Sequence, residues 1–329
     1  MPDPRLPDDL PARILAGERR ALARAVTLVE STRPDHRQQA TALLDALAGH
    51  GHQALRIGLS GTPGVGKSTF IEAFGMMLTG QGLKVAVLAV DPTSTRSGGS
   101  ILGDKTRMEQ LSRQKNAFIR PSPSRAHLGG VSRRTREAVA LCEAADFDVV
   151  LIETVGVGQS ETMVAEMCDI FVLLLAPAGG DELQGVKRGI MEIADLILIN
   201  KADGDLKPAA TRTCADYAGA LRLMRKRVHD PDGFPKAMEV SAVTGDGLMQ
   251  AWTEMQALAR WRREHGHWQS RRAEQARHWF EQEVRSGLLA QMDASPEMRA
   301  RMADLGAEVA AGRISPDAAA VTMLAALKR

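Results

Sequence analysis

The chain is expected to fold as an α/β protein: a doubly wound, mostly parallel sheet flanked by helical N- and C-terminal extensions. Two patterns carry this expectation. Seven short apolar runs alternate with helical stretches: Leu55–Leu59, Val85–Val90, Ala117–Ile119, Val149–Ile152, Ile170–Leu175, Leu196–Ile199 and Ala237–Val240. Several are apolar throughout, as strands are when helices cover both faces of a parallel sheet. Regular alternation of strand and helix then implies double winding. On either side of this region the strand signal stops and helical periodicity replaces it.

Residues 1–53 read as a helical extension. Leu10-Pro11 places Pro in a first turn, where its missing N–H costs nothing. Ala21, Leu22, Ala25, Val26 and Val29 recur at helical spacing, as do Ala40, Leu43, Leu44 and Leu47. Residues 54–250 hold the strands. Residues 251–329 read as a helical arm; residues 246–292 are rich in Arg, Glu, Gln, Ala and Leu, good helix formers. Ser295-Pro296-Glu297 and Ser315-Pro316-Asp317 each read as an N-cap serine followed by Pro at the first helical position. Three or four helices are expected there. The four tryptophans (Trp252, Trp261, Trp268, Trp279) all fall in this tail, and between tail core and a dimer interface the latter is the favoured reading.

Composition narrows the function classes. Of 329 residues, 44% are hydrophobic and 25% charged, which excludes disordered and collagen-like chains. Lys plus Arg number 42 against 40 Asp plus Glu, a balance that does not point to nucleic acid. Cys142, Cys168 and Cys214 are far apart and odd in number, so a reducing, cytoplasmic setting is expected rather than a disulfide framework. No apolar run approaches ~18 residues, so no membrane span is expected. Locally, Lys105 to Arg136 holds nine bases and one acid, Glu109. Residues facing a phosphate or a partner, a nucleic-acid patch, and solvated faces all compete for that stretch. Phe118 is its one aromatic, so base stacking is poorly served.

The first apolar run leads into Gly61-Thr62-Pro63-Gly64-Val65-Gly66-Lys67-Ser68-Thr69, which fits G-x-x-x-x-G-K-[ST] between a strand and a helix. Its glycines let successive N–H groups point at phosphate oxygens, and the following helix N-terminus adds partial positive charge. Lys67 is expected to reach the β and γ phosphates and Ser68 to coordinate Mg²⁺. The sixth run leads into Asn200-Lys201-Ala202-Asp203. A carboxylate there accepts two hydrogen bonds from guanine, and adenine cannot supply that pair. Lys201 would pack over the base, and Asn200 would tie this loop to the phosphate loop. Ser241-Ala242-Val243, after the seventh run, is similar to the S-A-x loop whose backbone also meets guanine. Together they predict a site for GTP and GDP.

The fourth run ends in Glu153-Thr154-Val155-Gly156, where most GTPases carry Asp-x-x-Gly. Glu153 is the candidate for the Mg²⁺ side of the site and Gly156 for the γ-phosphate. Asp91 and Asp104 follow the second run and are further candidates for Mg²⁺; an Asx-turn before Pro92 and a helix N-cap are their alternative readings. Ras-type proteins carry a water-positioning Gln directly after the glycine. Val157 stands there and cannot orient water, so slow unaided hydrolysis is expected. Asp181 and Lys187 lie in a glycine-rich stretch after the fifth run and complete the candidate catalytic set with Lys67, Glu153, Asp91 and Asp104.

In this order the motifs resemble the MeaB/ArgK family of P-loop GTPases, with Asp91-Pro92-Thr93-Ser94 and Glu153-Thr154-Val155-Gly156-Val157-Gly158-Gln159-Ser160-Glu161 the most specific segments. The resemblance spans nearly the whole chain. It implies a homodimeric GTPase whose tail is the dimerisation arm. It also implies a chaperone for an adenosylcobalamin-dependent methylmalonyl-CoA mutase, with hydrolysis gating cofactor delivery. It matches Lys67, Ser68, Asp91, Asp104 and Glu153 to phosphate and Mg²⁺ groups, and Asp181 and Lys187 to a third switch loop. The competing expectations are a metal-insertion GTPase, for which only the pairs His50/His52 and His265/His267 are available, and a transport-associated kinase of the ArgK type.

Overall fold

The computed structural model describes residues 9–50, 52–90, 108–120, 128–154, 160–177 and 188–326. Seven strands form one sheet: β1 (Leu55–Ser60), β2 (Val85–Val90), β3 (Ala117–Arg120), β4 (Val149–Thr154), β5 (Ile170–Leu175), β6 (Leu196–Ile199) and β7 (Lys236–Glu239). All neighbours run parallel, in the order β3-β2-β4-β1-β5-β6-β7. The doubly wound parallel sheet expected from the apolar runs is therefore present. β1 is central, with β4 and β5 on its flanks. The chain leaves β1 towards β2 and leaves β4 towards β5 on the other side, so the order switches beside β1. In open α/β sheets ligands bind at such a point, outside the carboxyl ends of the strands.

Helices cover both faces. On one, Lys67–Gly80, Glu109–Arg113 and Leu248–Glu264 pack through Phe70, Phe74, Leu111, Trp252 and Met255 onto Ile57, Leu59, Val85 and Val87. The Phe74 and Trp252 rings meet edge to face at 6.0 Å. On the other face the helix Ser160–Ala165 comes so close to β1 that a Cβ on Gly58 would lie 2.8 Å from Val164 and 2.9 Å from Cys168. Burial there pushes the Cys168 thiol up to about 12, so it is an inert packing group.

The N-terminal helices Leu10–Leu15, Arg19–Glu30 and Pro34–Leu47 bury the stripe that the periodicity marked, Ala21, Leu22, Ala25, Val26 and Val29, against the helix Leu128–Ala144. Arg37 clamps Glu137 of that helix through two bonds of 2.7 and 2.8 Å.

Two compact units divide the chain, residues 1–272 and 273–329. The first thus takes in the beginning of the tail. Trp252 and Trp268 are buried in its core, and the Trp268 indole donates to Gln53 Oε1 at 2.9 Å. The interface reading of the tryptophans is corrected for these two. Helical spacing shows that a face is covered but not by what. In the tail, Leu248–Glu264, His267–Ala294, Pro296–Ala310 and Pro316–Ala326 are helical. Ser295 Oγ accepts from Met298 N at 3.3 Å and Ser315 Oγ from Ala318 N at 3.2 Å, both as N-caps.

Opposite the carboxyl edge, a buried ionic network joins the starts of three strands. Arg272 binds Asp169 (2.7 Å), Glu143 (3.1 Å) and the Ala54 carbonyl (2.6 Å). Arg56 of β1 also binds Glu143, at 2.6 Å. Arg262, 2% exposed, binds Asp195 (2.7 Å), Asp230 (3.0 Å) and the Asp169 carbonyl (2.6 Å). Each carboxylate thus meets a guanidinium, the condition under which buried charge is tolerated.

Candidate functional site

β1 ends at Ser60 and turns into the loop 61–66, which opens the helix Lys67–Gly80. Gly66 caps that helix at φ 87°, a left-handed conformation that disfavours side chains, and a Cβ there would meet Asn200 Nδ2 at 2.8 Å. A Cβ on Gly61 would run into the Leu174 carbonyl oxygen of β5. These glycines let the loop fold tightly over the carboxyl ends of β1 and β5. Lys67, Ser68 and Thr69 follow in the first helical turn, where unpaired N–H groups suit an anion. Lys67 Nζ donates to the Gly61 carbonyl at 2.6 Å. Burial pulls the Lys67 ammonium below its ordinary value, against the opposing fields of Glu153 and Glu161.

Glu153 is 5% exposed near the end of β4, in register with Leu59 of β1. Next to it Thr154 Oγ1 donates to Ser60 Oγ at 3.2 Å, joining β4 to the root of the phosphate loop. Glu161, 4% exposed at the start of the helix Ser160–Ala165, is a carboxylate to which the motifs alone give no separate role. Its influence on Lys67 is made by the fold, since β4 and the following helix bring it back to the loop.

The other end of the site rests on Asn200. Its Nδ2 donates to the Val65 carbonyl at 2.9 Å, and its Oδ1 accepts from Ala242 N at 3.1 Å. One side chain therefore holds together the phosphate loop, the loop after β6 and the loop after β7. Lys201 takes φ 61° and donates Nζ to the Gly64 carbonyl at 2.8 Å. Ser241, fully buried, donates to the Asp203 carboxylate, and its Oγ accepts from Val243 N (3.3 Å) and Thr244 N (3.1 Å). Asp203 is thereby fixed at a carboxyl strand edge with acceptor oxygens only, the chemistry that a guanine base edge satisfies.

The structure thus gathers Gly61–Thr69, Glu153, Asn200, Lys201, Asp203 and Ser241–Val243 at one edge. Asp91, Asp104, Gly156, Val157, Asp181 and Lys187 lie outside the described residues. Ser68 and Glu153 supply hard oxygen donors, which suit Mg²⁺, an ion that takes one or two protein groups and completes its shell with phosphate and water. Among the described residues no three His, Cys, Asp or Glu side chains cluster as a metal site. His52 faces Asp146 at 3.3 Å, and His265 and His267 stack on Trp261. No described helix is long and apolar enough to cross a membrane.

Comparison with known proteins agrees with this geometry. The family described as methylmalonyl Co-A mutase-associated GTPase MeaB matches residues 22–297. A putative GTPase of Caulobacter vibrioides is 53% identical over 97% of both chains. The mouse protein named methylmalonic aciduria type A homolog, mitochondrial, is 48% identical over 98% of this chain and 80% of its own. GTPase ArgK of Escherichia coli is 49% identical over 85% of this chain and 86% of its own. The crystal structure of a protein named LAO/AO transport system kinase superposes with a TM-score of 0.75 at 38% identity, over 98% of this chain and 97% of that one. A phosphate loop clamped through Asn200 to a carboxylate suited to guanine, in a chain matched along most of its length, leads to one assignment: this is a member of the MeaB family of P-loop GTPases, an enzyme that hydrolyses GTP.

Proposed function

We propose that the chain is a GTP-driven chaperone for an adenosylcobalamin-dependent methylmalonyl-CoA mutase, gating delivery of that cofactor by hydrolysis and protecting the enzyme it serves. The family match over residues 22–297 carries this reading, because the family is described by its association with that mutase. The proposed site uses the loop N–H groups and Lys67 for phosphates, Asn200, Lys201, Asp203 and Ser241–Val243 for the base, and Ser68, Glu153, Asp91 and Asp104 for Mg²⁺. Bound there, Mg²⁺ would neutralise charge on the phosphate oxygens. Gly156 serves the γ-phosphate, and Asp181 and Lys187 act from the third switch loop. With Val157 in the water-positioning place, turnover is slow until a partner completes the site. The working form is a cytoplasmic homodimer joined through its helical tail.

The test measures GTP turnover by the purified chain alone and with the mutase. Slow basal hydrolysis, accelerated on adding the mutase, is expected; an unchanged rate together with no complex on a sizing column would sink the proposal. The similar solved structure is named a transport system kinase, which favours one second reading, transfer of phosphate to a protein. That reading needs ATP, so competition by ATP at affinity comparable to GTP would support it.

A further inference from the structure

Just beyond Glu153 the two central strands stop pairing through their backbones. The register of β1 with β4 runs from Leu55 opposite Val149 to Leu59 opposite Glu153 and ends there. One residue further on, Thr154 pairs with Val90, the last residue of β2, and Ser60 pairs with Leu173 of β5. Across the order β2-β4-β1-β5 that row is joined by backbone on either side and by side chains in the middle. The middle link is the Thr154 hydroxyl. It donates to Ser60 Oγ at 3.2 Å, with the Leu59 carbonyl at 3.5 Å.

Thr154 is 0% exposed and Ser60 1%. A buried hydroxyl costs free energy unless it is bonded, and valine fills the same space with the same branching at Cβ. From Val149 to Ile152 the strand is apolar, so packing alone asks for no hydroxyl at its end. The two residues it joins do ask for one. Ser60 is where the phosphate loop leaves β1, and Thr154 directly follows Glu153. Successive strand side chains point to opposite faces. Glu153 therefore shares a face with Leu59, which packs in the core with Phe70 and Phe74 of the helix Lys67–Gly80, and the Thr154 hydroxyl lies on the other. Thr154 acts on Glu153 through the backbone they share. A strand end that has left its ladder opens more readily than a paired one, and a side-chain bond at that point restores the tie.

We infer that Thr154 is a positioning residue for GTP hydrolysis: its bond to Ser60 holds the end of β4, and with it the Glu153 carboxylate, in place against the phosphate loop. The inference rests on the proposed place of Glu153 on the Mg²⁺ side of the site. A small misplacement of such a group is felt in the chemical step more than in nucleotide binding.

The test follows single-turnover GTP hydrolysis by the full chain as Mg²⁺ is varied. Thr154→Val should slow hydrolysis on the order of tenfold and raise the Mg²⁺ concentration for half-maximal rate, with GDP affinity changed by less than about twofold. Thr154→Ser keeps the hydroxyl and should recover most of the rate. Ser60→Ala should match Thr154→Val, and the double variant should be no slower than either, because both remove the same bond. A purely structural role predicts a lower urea midpoint with rate and Mg²⁺ requirement unchanged, and that result overturns the proposal. So does Thr154→Ser as slow as Thr154→Val, or additive losses in the double variant. Glu153→Gln, measured alongside, should raise the Mg²⁺ requirement. If it does not, the reading of Glu153 fails and this proposal falls with it. If it does while Thr154→Val leaves the requirement unchanged, the proposal alone fails.

Discussion

Asp203 is the proposed guanine acceptor, and its substitution gives the sharpest single-residue prediction. Asp203→Asn replaces an acceptor oxygen by an amide that donates to a guanine edge which also donates. GTP should bind roughly a hundredfold more weakly, and xanthosine triphosphate, whose 2-oxo group accepts, should overtake it; titration of both nucleotides reads this out. Gly66→Ala acts through space and backbone, since its Cβ would press on the Asn200 amide at 2.8 Å from a left-handed backbone. Loss of nucleotide binding in a chain with a normal circular dichroism spectrum is the expected result. Arg262 sits in the ionic network, and Arg262→Met leaves Asp195 and Asp230 with Arg227 as their remaining ion-pair partner among the described residues, at 2.9 and 3.5 Å. Removing one partner of a buried pair costs at most about 3–5 kcal/mol when the other charge is left alone; with Arg227 still in place the loss is smaller, readable as a lower urea midpoint. Burial pushes the Asp195 carboxyl up, but the Arg262 charge and hydrogen bond, helped by Arg271 and Arg227, hold it below its ordinary value of 3.8. Its folded form thus binds a proton less readily than its unfolded form. The resulting stability is complete above about pH 4 and is lost as pH falls through the lower folded value. Acid unfolding of Arg262→Met should therefore begin at higher pH than in the parent chain.

Among the elements, the helix Leu248–Glu264 matters more than its place beyond the last strand suggests. It closes one face of the sheet with Trp252, Met255 and Leu258. Trp252→Ala should cost about 3–5 kcal/mol, measured as loss of thermal stability with nucleotide present. The inner strands are legible in the sequence because strands buried on both faces are largely apolar along their length, whereas edge strand β7 is only half-buried. β7 spans Lys236–Glu239, one residue before the run expected at Ala237–Val240, because pairing with β6 sets its extent while the apolar run reports burial. At the site, Gly61–Ser68 and Asn200–Asp203 are legible because loop geometry requires their residue types to be contiguous. Glu161 has no such local signature, since its field on Lys67 arises from a return of the chain. The ionic network is illegible for the same reason: Arg262 and Asp195 meet across 67 positions, and no local pattern marks one charge as the partner of the other.

At the scale of the whole molecule, the division after Arg272 separates two roles for the tail. A chain ending at residue 250 loses Trp252, Arg262, Trp268 and Arg272 and should aggregate. One ending at 272 keeps them and should bind GDP. In the second unit Phe280, Val284 and Leu288 are spaced four residues apart along one helix and are exposed, at 68%, 45% and 55%. Such a stripe suits the proposed dimer contact. The double substitution Phe280→Asp and Leu288→Asp should shift the chain to monomer in light scattering while leaving nucleotide affinity unchanged; a persistent dimer would place the contact elsewhere. The bonds of Asn200 have a further consequence. By fixing the proposed base loop to the phosphate loop, this amide holds the two at a constant opening, like a caliper. On the proposed assignment, a substitution that breaks either bond is expected to weaken guanine selectivity and phosphate grip together.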